Sequence, residues 1–153
     1  AQERGLLEVK TCNPRDFATD NHRTVDSRPC GGGPCMLMTN APLSDALEKV
    51  RAAPAPPARV IYLSPQGARL TQEKVVELAH EDRLILLCGR YEGVDERVLE
   101  NLVDEELSIG DFVVTGGEIP AMAITDAVCR LLAGVLYYSA CFADESHWAD
   151  TCV

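Results

Sequence analysis

Three segments of the sequence set glycine among residues that can make polar contacts: YLSPQG at 62–67, CGRYEG at 88–93 and SIGDFVVTGGEIP at 108–120. Glycine has no Cβ, so at such positions the main chain can turn sharply or come close to another group. Each segment taken alone is better explained by a turn. There is no GxGxxG after a strand and no GxxxxGK[ST], which argues against a dinucleotide-binding Rossmann site and a P-loop. Zinc chemistry finds no support either. The seven cysteines (Cys12, Cys30, Cys35, Cys88, Cys129, Cys141 and Cys152) include no CxxC pair and have no His-x-x-x-His partner, so they read as buried or incidental thiols. His22, His80 and His147 show no spacing for a metal or a catalytic triad, and no metal site is expected. Cys30 and Cys35 flank a glycine turn, but a cytosolic thiol pair normally stays reduced.

The elements around these segments decide where they sit. Leu7 and Val9 alternate before Asn13-Pro14, which reads as a short strand running into a turn. RPCGGGPCMLM, with three glycines between two prolines, is a shaped loop. Leu43, Ala46, Leu47 and Val50 recur at helical spacing and end at APAPP. RVIYLSP reads as a buried strand, Val75 to Ala79 as a helix, and RLILLCG as a second buried strand. VDERVLENLVDEEL reads as one amphipathic helix, Phe112 to Val114 as a strand, and the stretch with Ala123, Ala127, Leu131 and Leu132 as the last helix. Strands alternating with helices imply an α/β fold with a parallel sheet covered on both faces. In such sheets ligands lie beyond the carboxyl ends of the strands, where the three glycine-bearing segments fall.

Taken together and in order, YLSPQG, LLCGRYEGVDERV and DEELSIGDFVVTGGEIPAM closely resemble the binding loops of the bacterial tRNA (guanine-N(1)-)-methyltransferases of the SPOUT superfamily. HRTVDSRP and RPCGGGPCMLM resemble the same family's substrate-facing loop, and the similarity runs from about Gly5 to Leu136. This resemblance implies a deep trefoil knot holding a bent S-adenosyl-L-methionine. The cofactor contacts it implies are Tyr62, Leu63, Ser64 and Pro65; Gly89, Tyr91 and Glu92; and Ser108, Ile109, Gly110, Asp111, Phe112, Val113 and Val114 with Gly116, Gly117 and Pro120. Leu87, Ile109 and Val114 are expected to form apolar walls. The implied reaction is methyl transfer to N(1) of the guanosine just 3′ of the anticodon. That nitrogen carries a proton, so a general base is needed. Glu145 falls where the family has its aspartate, with Asp144 one step away, although a solvated tail carboxylate explains both equally well. Arg130 matches a family arginine that holds the guanine and offsets charge on its carbonyl oxygen, with a helix-end salt bridge as the plainer reading. The resemblance also suggests magnesium, and a homodimer in which the loop near Gly31 to Gly33 reaches the partner's cofactor.

Set against the family, residues 1–136 are expected to be the catalytic domain without its first strand, and residues 137–153 a loop or frayed tail leading to a tRNA-binding domain absent from this chain. Cys30 and Cys35 stand where the family has an aromatic residue and a glycine. At 153 residues and 46% hydrophobic content, one domain with one core is the expectation. No apolar run approaches the ~20 residues of a membrane span and AQERGLLEVK lacks a signal peptide's apolar core, so a soluble, cytoplasmic protein is expected. The net charge of -10 disfavours a complete RNA-binding surface. Residues 92–118 hold nine acids against Arg97 alone, whereas residues 1–35 balance five acids with five bases, so any tRNA contact is expected near the start. Two readings therefore compete: a tRNA methyltransferase, and a non-catalytic knotted fragment that binds the cofactor.

Overall fold

The computed structural model describes residues 1–28 and 35–135. Two single turns of 3-10 helix, Gln2–Arg4 and Pro14–Phe17, precede a small antiparallel pair, β1 (Asp26–Ser27) and β2 (Leu37–Met38). The body of the fold is α1 (Asn40–Arg51), β3 (Arg59–Arg69), α2 (Gln72–Ala79), β4 (Leu84–Cys88), α3 (Glu96–Leu102), β5 (Glu105–Ser108) and α4 (Glu118–Cys129). Strands β4, β3 and β5 lie in that order and all run parallel.

Central position explains the composition of β3. Val60 and Tyr62 point into one apolar cluster with Leu43 and Leu47 of α1 and Val98 of α3, while Ile61 and Leu63 point into another with Val75 and Leu78 of α2 and Ile124 and Val128 of α4. Successive side chains of a strand face opposite sides, so a strand covered by helices on both faces must be apolar without alternation. The expected α/β sheet with helices on both faces is what the chain forms.

Four expectations are corrected. The acidic helix stops at Leu102, and Glu105 to Ser108 form strand β5 instead. Val103 is extended, and Asp104 joins the sheet by donating its amide to the Val60 carbonyl (2.9 Å) and accepting the Val60 amide on its carboxylate (2.7 Å). Phe112 to Val114 form no strand; Val113 is 83% exposed, having no neighbour to pair with among the described residues. Residues 6–13 likewise carry no strand, and Val9 is half exposed. Strand β3 is also longer than RVIYLSP: Leu63 and Ala68 both partner Leu107, so residues 64–67 bulge out between them.

A charged network secures the amino-terminal end of the sheet. Arg59 bonds Glu77, Glu81 and Glu105, and Lys74 bonds Glu77 (2.7 Å) and Glu105 (3.0 Å). Hydrogen bonds from Lys74 and then Arg59 hold the Glu77 carboxyl below its ordinary range. The Arg97 side chain does the same to Asp95, the N-cap of α3, and the Thr24 hydroxyl does so to Asp20. Depressed folded-state values mean that these groups stabilise the fold above the unfolded carboxylate values near pH ~4 and lose that contribution as pH falls through the folded values. Thermal midpoints are therefore expected to be flat from pH 7 to 5 and to fall below about pH 4. A midpoint that rises on acidification would contradict this.

Candidate functional site

Because the three strands are parallel, they share one carboxyl end, where Leu63 pairs with both Cys88 and Leu107. At this end β3 bulges over residues 64–67, and the chain leaves β4 at Gly89 and β5 at Ile109, so residues distant in sequence are brought to one place.

Main-chain bonds tie the 88–93 and 108–120 segments together. The Gly117 amide donates to the Gly89 carbonyl (2.9 Å), and Arg90 forms an antiparallel bridge with Gly116. On its other side the 90–95 segment is stitched to residues 36–38: the Glu92 amide donates to Met36, the Met38 amide to Gly93, and the Asp95 amide to Met38. Tyr91 sits in this clamp with φ 61°, a left-handed conformation that costs a non-glycine residue about 1–2 kcal/mol. Its ring is half exposed. Ser108 shapes the third exit, its hydroxyl donating to the Gly110 carbonyl (2.9 Å) and accepting the Gly110 amide (3.2 Å).

The glycines serve more than one purpose. A Cβ on Gly117 would lie 2.6 Å from the Cys88 Cα and 3.0 Å from the Gly89 nitrogen; with φ at -71°, the need is for space and not for an unusual conformation. On Gly89 a Cβ would meet the Tyr62 ring at 2.8 Å. Gly67, in the bulge of β3, would strike the β5 backbone at Glu106 and Leu107, both at 2.6 Å. Close approach between chain segments, and not only to a ligand, thus demands glycine at 67, 89 and 117. Gly110 faces only the ring of Phe112, which is 56% exposed.

An open cleft of about 170 Å³ lies among these exits, lined by Pro65, Gly67, Arg69, Ser108, Gly110 and Asp111. Four of these six were expected site residues; Gly67 and Arg69 were not singled out, because only the bulge turns them toward β5. Tyr62, Leu63, Ser64, Gly89, Gly117 and Pro120 are buried beneath the cleft and the neighbouring loops, while Glu92, Asp111, Phe112 and Val113 are exposed. Leu87, expected as a wall, is buried in the core beside Tyr62, because it faces the side of the sheet that α1 and α3 cover. Ile109 packs against the opposite cluster, and Val114 is partly buried. Burial, with Glu106 adding to it, raises the Tyr62 phenol above its ordinary value, so it stays neutral at physiological pH. Arg130 caps the carboxyl end of α4 and is partly buried. Glu145, Asp144, Cys30, the Gly31 to Gly33 turn and the 137–153 tail lie outside the described residues.

Among the described residues, no group of three or more His, Cys, Asp or Glu side chains is placed to hold a metal ion. Cys35 donates its thiol to Glu92, which raises the thiol above its ordinary value. Cys88 is pushed up to about 11, first by burial and then by Glu118, with Arg90 opposing. At pH 7.5 Cys88 is therefore a thiol. Iodoacetamide is expected to modify exposed Cys12 well before Cys88; mass spectrometry showing equal rates would overturn this.

The parallel α/β sheet thus brings three glycine-bearing segments to its carboxyl end, with an open cleft between the 62–67 and 108–120 segments. The chain belongs to the family described as tRNA (Guanine-1)-methyltransferase TrmD, which it matches over residues 1–152. Among the curated proteins it is similar to a tRNA (guanine-N(1)-)-methyltransferase of Shewanella woodyi, at 58% identity over 150 residues, which cover 98% of this chain and 60% of that protein. The relative from Shewanella loihica shows the same identity and coverage, and that from Shewanella sediminis is 57% identical, with 62% of its length covered. The chain thus spans about three fifths of the length of the curated relatives it matches. The family assignment bears out the resemblance carried by the three loops.

Proposed function

We propose that this chain is the cofactor-binding part of a tRNA (guanine-N(1)-)-methyltransferase, acting on the guanosine 3′ of the anticodon with S-adenosyl-L-methionine as methyl donor. The observation that carries this reading is the convergence of the 62–67, 88–93 and 108–120 segments at one end of the sheet in a chain of this family.

The residues present fit a nucleoside-bearing cofactor. Ser108, Gly110 and Asp111 line the cleft in a loop held by the Ser108 hydroxyl, and Phe112 of that loop and Tyr91 of the 88–93 segment are exposed aromatic residues. A cleft of about 170 Å³ is smaller than the ~300 Å³ at which sites begin to enclose a whole ligand, so it receives one portion of the cofactor. The other contacts are assigned to Tyr62, Leu63, Ser64, Pro65, Gly89, Tyr91, Glu92, Ile109, Phe112 to Val114, Gly116, Gly117 and Pro120. When bound, the cofactor supplies an electrophilic methyl group. The chain's own part is to orient the guanine, with Arg130 beside its carbonyl oxygen, and to take the N(1) proton on Glu145, or failing that on Asp144. Magnesium, which the resemblance suggests, has no donor set of three such side chains among the described residues.

The reading includes the family's deep trefoil knot, which rests on the resemblance of the loops to that family. It includes a homodimer, supported by exposed Phe112, Val113, Ile119 and Met122 on one stretch of chain. It also includes tRNA as partner and the bacterial cytoplasm as location; no helix among the described residues is long and apolar enough to cross a membrane.

S-adenosyl-L-methionine, or its demethylated product, is expected to raise the thermal midpoint. At one hundred times Kd the fold gains about 2.7 kcal/mol, because only the folded state binds. ATP and NAD are expected to leave it unchanged. Equal shifts from all of them, or none from any, would sink the reading.

A further inference from the structure

Arg90 and Glu118 stand 28 residues apart and belong to two different loops of the site, yet they are joined side chain to side chain. The Arg90 Nε donates to Glu118 Oε1 at 3.0 Å, and its terminal nitrogen reaches the same oxygen at 2.9 Å. Gly116 lies directly under the pair, and a side chain there would run into the Glu118 carboxylate and approach Arg90 to 3.3 Å. The Arg90 main chain is held on two sides: its amide donates to the Met38 sulfur at 3.3 Å, and the residue bridges to Gly116. Arg90 therefore joins the 36–38 segment, the exit of β4 and the start of α4.

We propose that the Arg90–Glu118 pair is a positioning latch, which sets the 89–93 loop in register with residues 116–118 and so shapes the cofactor site without lying in its cleft. The ligand-bound consequence rests on the function proposed above. Both side chains are about half exposed, and such pairs add little to global stability. What this one spans gives it its effect: if the charge pair is lost, the single Gly117 to Gly89 hydrogen bond and the Gly116 bridge are left to hold two loops that both face the ligand. Glu118 also lies in the first turn of α4, where a carboxylate is favoured by the helix end, so its placement is set independently of Arg90.

The test is a double-mutant cycle of Arg90→Ala, Glu118→Gln and the pair together, read by S-adenosyl-L-methionine titration, thermal midpoint and amide exchange at Gly117 in the ligand-free protein. Each single change is expected to weaken binding roughly tenfold, about the loss of one charged hydrogen bond, with a midpoint nearly unchanged. The double change is expected to cost no more than either single one, since each already opens the latch. Faster exchange at Gly117 in all three variants completes the expected result. Additive losses in the cycle would overturn the latch, as would unchanged Gly117 exchange. Should the wild-type protein not bind the cofactor at all, the proposed function fails, and the exchange measurement still decides the latch.

Discussion

Replacing Gly117 with valine is expected to abolish measurable S-adenosyl-L-methionine binding. The smaller change, Gly117→Ala, is expected to lower the thermal midpoint and weaken binding together. The cause is steric and local: the first added carbon would sit 2.6 Å from the Cys88 Cα and 3.1 Å from its carbonyl carbon. These are main-chain atoms at the end of a core strand, and they cannot swing aside as a surface side chain can. Either β4 or the start of α4 must move, and overpacking of this kind costs about 1–3 kcal/mol. The same movement separates the Gly117 amide from the Gly89 carbonyl, so the junction of the two segments proposed to hold the cofactor opens. The ~2.7 kcal/mol of ligand stabilisation at one hundred times Kd should then vanish from a thermal shift assay. Wild-type affinity and midpoint in Gly117→Ala would show that the crossing is looser than its geometry states.

Changing Glu145 to glutamine is expected to have the opposite signature, with binding intact and methyl transfer lost. Glu145 is the proton acceptor proposed above, and general-base contributions run to about 10²–10⁴ in rate. Glutamine keeps the size of the side chain and removes only its ability to take the guanine N(1) proton. Single-turnover transfer to a tRNA bearing the target guanosine should therefore fall at least about a hundredfold, while the cofactor Kd stays within experimental error of wild type. Unchanged transfer would move the role to Asp144. A loss of cofactor binding as large as that of Gly117→Val would overturn the division between a binding site in residues 62–120 and a base in the tail. Absence of transfer in the wild-type chain, with cofactor binding present, would favour the reading of a binding fragment.

Much of this protein could be read from its residues in order. Unbroken apolar runs at 60–63 and 84–88, each closed by a glycine-bearing loop, specify a parallel sheet with both faces covered, because only a strand buried on two sides lacks alternation. The loop strings themselves carried the family, and the family match over residues 1–152 agrees with them. Strand β5 is not legible in the sequence, since DEEL continues the helical pattern of α3, and the residues that neutralise Glu105 in the sheet, Arg59 and Lys74, are distant in sequence. Nor was the role of the glycines. Gly67, Gly89 and Gly117 look alike in sequence, as turn residues near a ligand, and the folded chain sets each against a different segment: Glu106 and Leu107, the Tyr62 ring, and the backbone of Cys88. Local composition determines which stretches become strands and which become loops, because burial and backbone freedom are properties of nearby residues. Which loops cross, and which side chains such as Arg90 and Glu118 then meet, depends on contacts between segments far apart in the chain, and only the tertiary structure decides them.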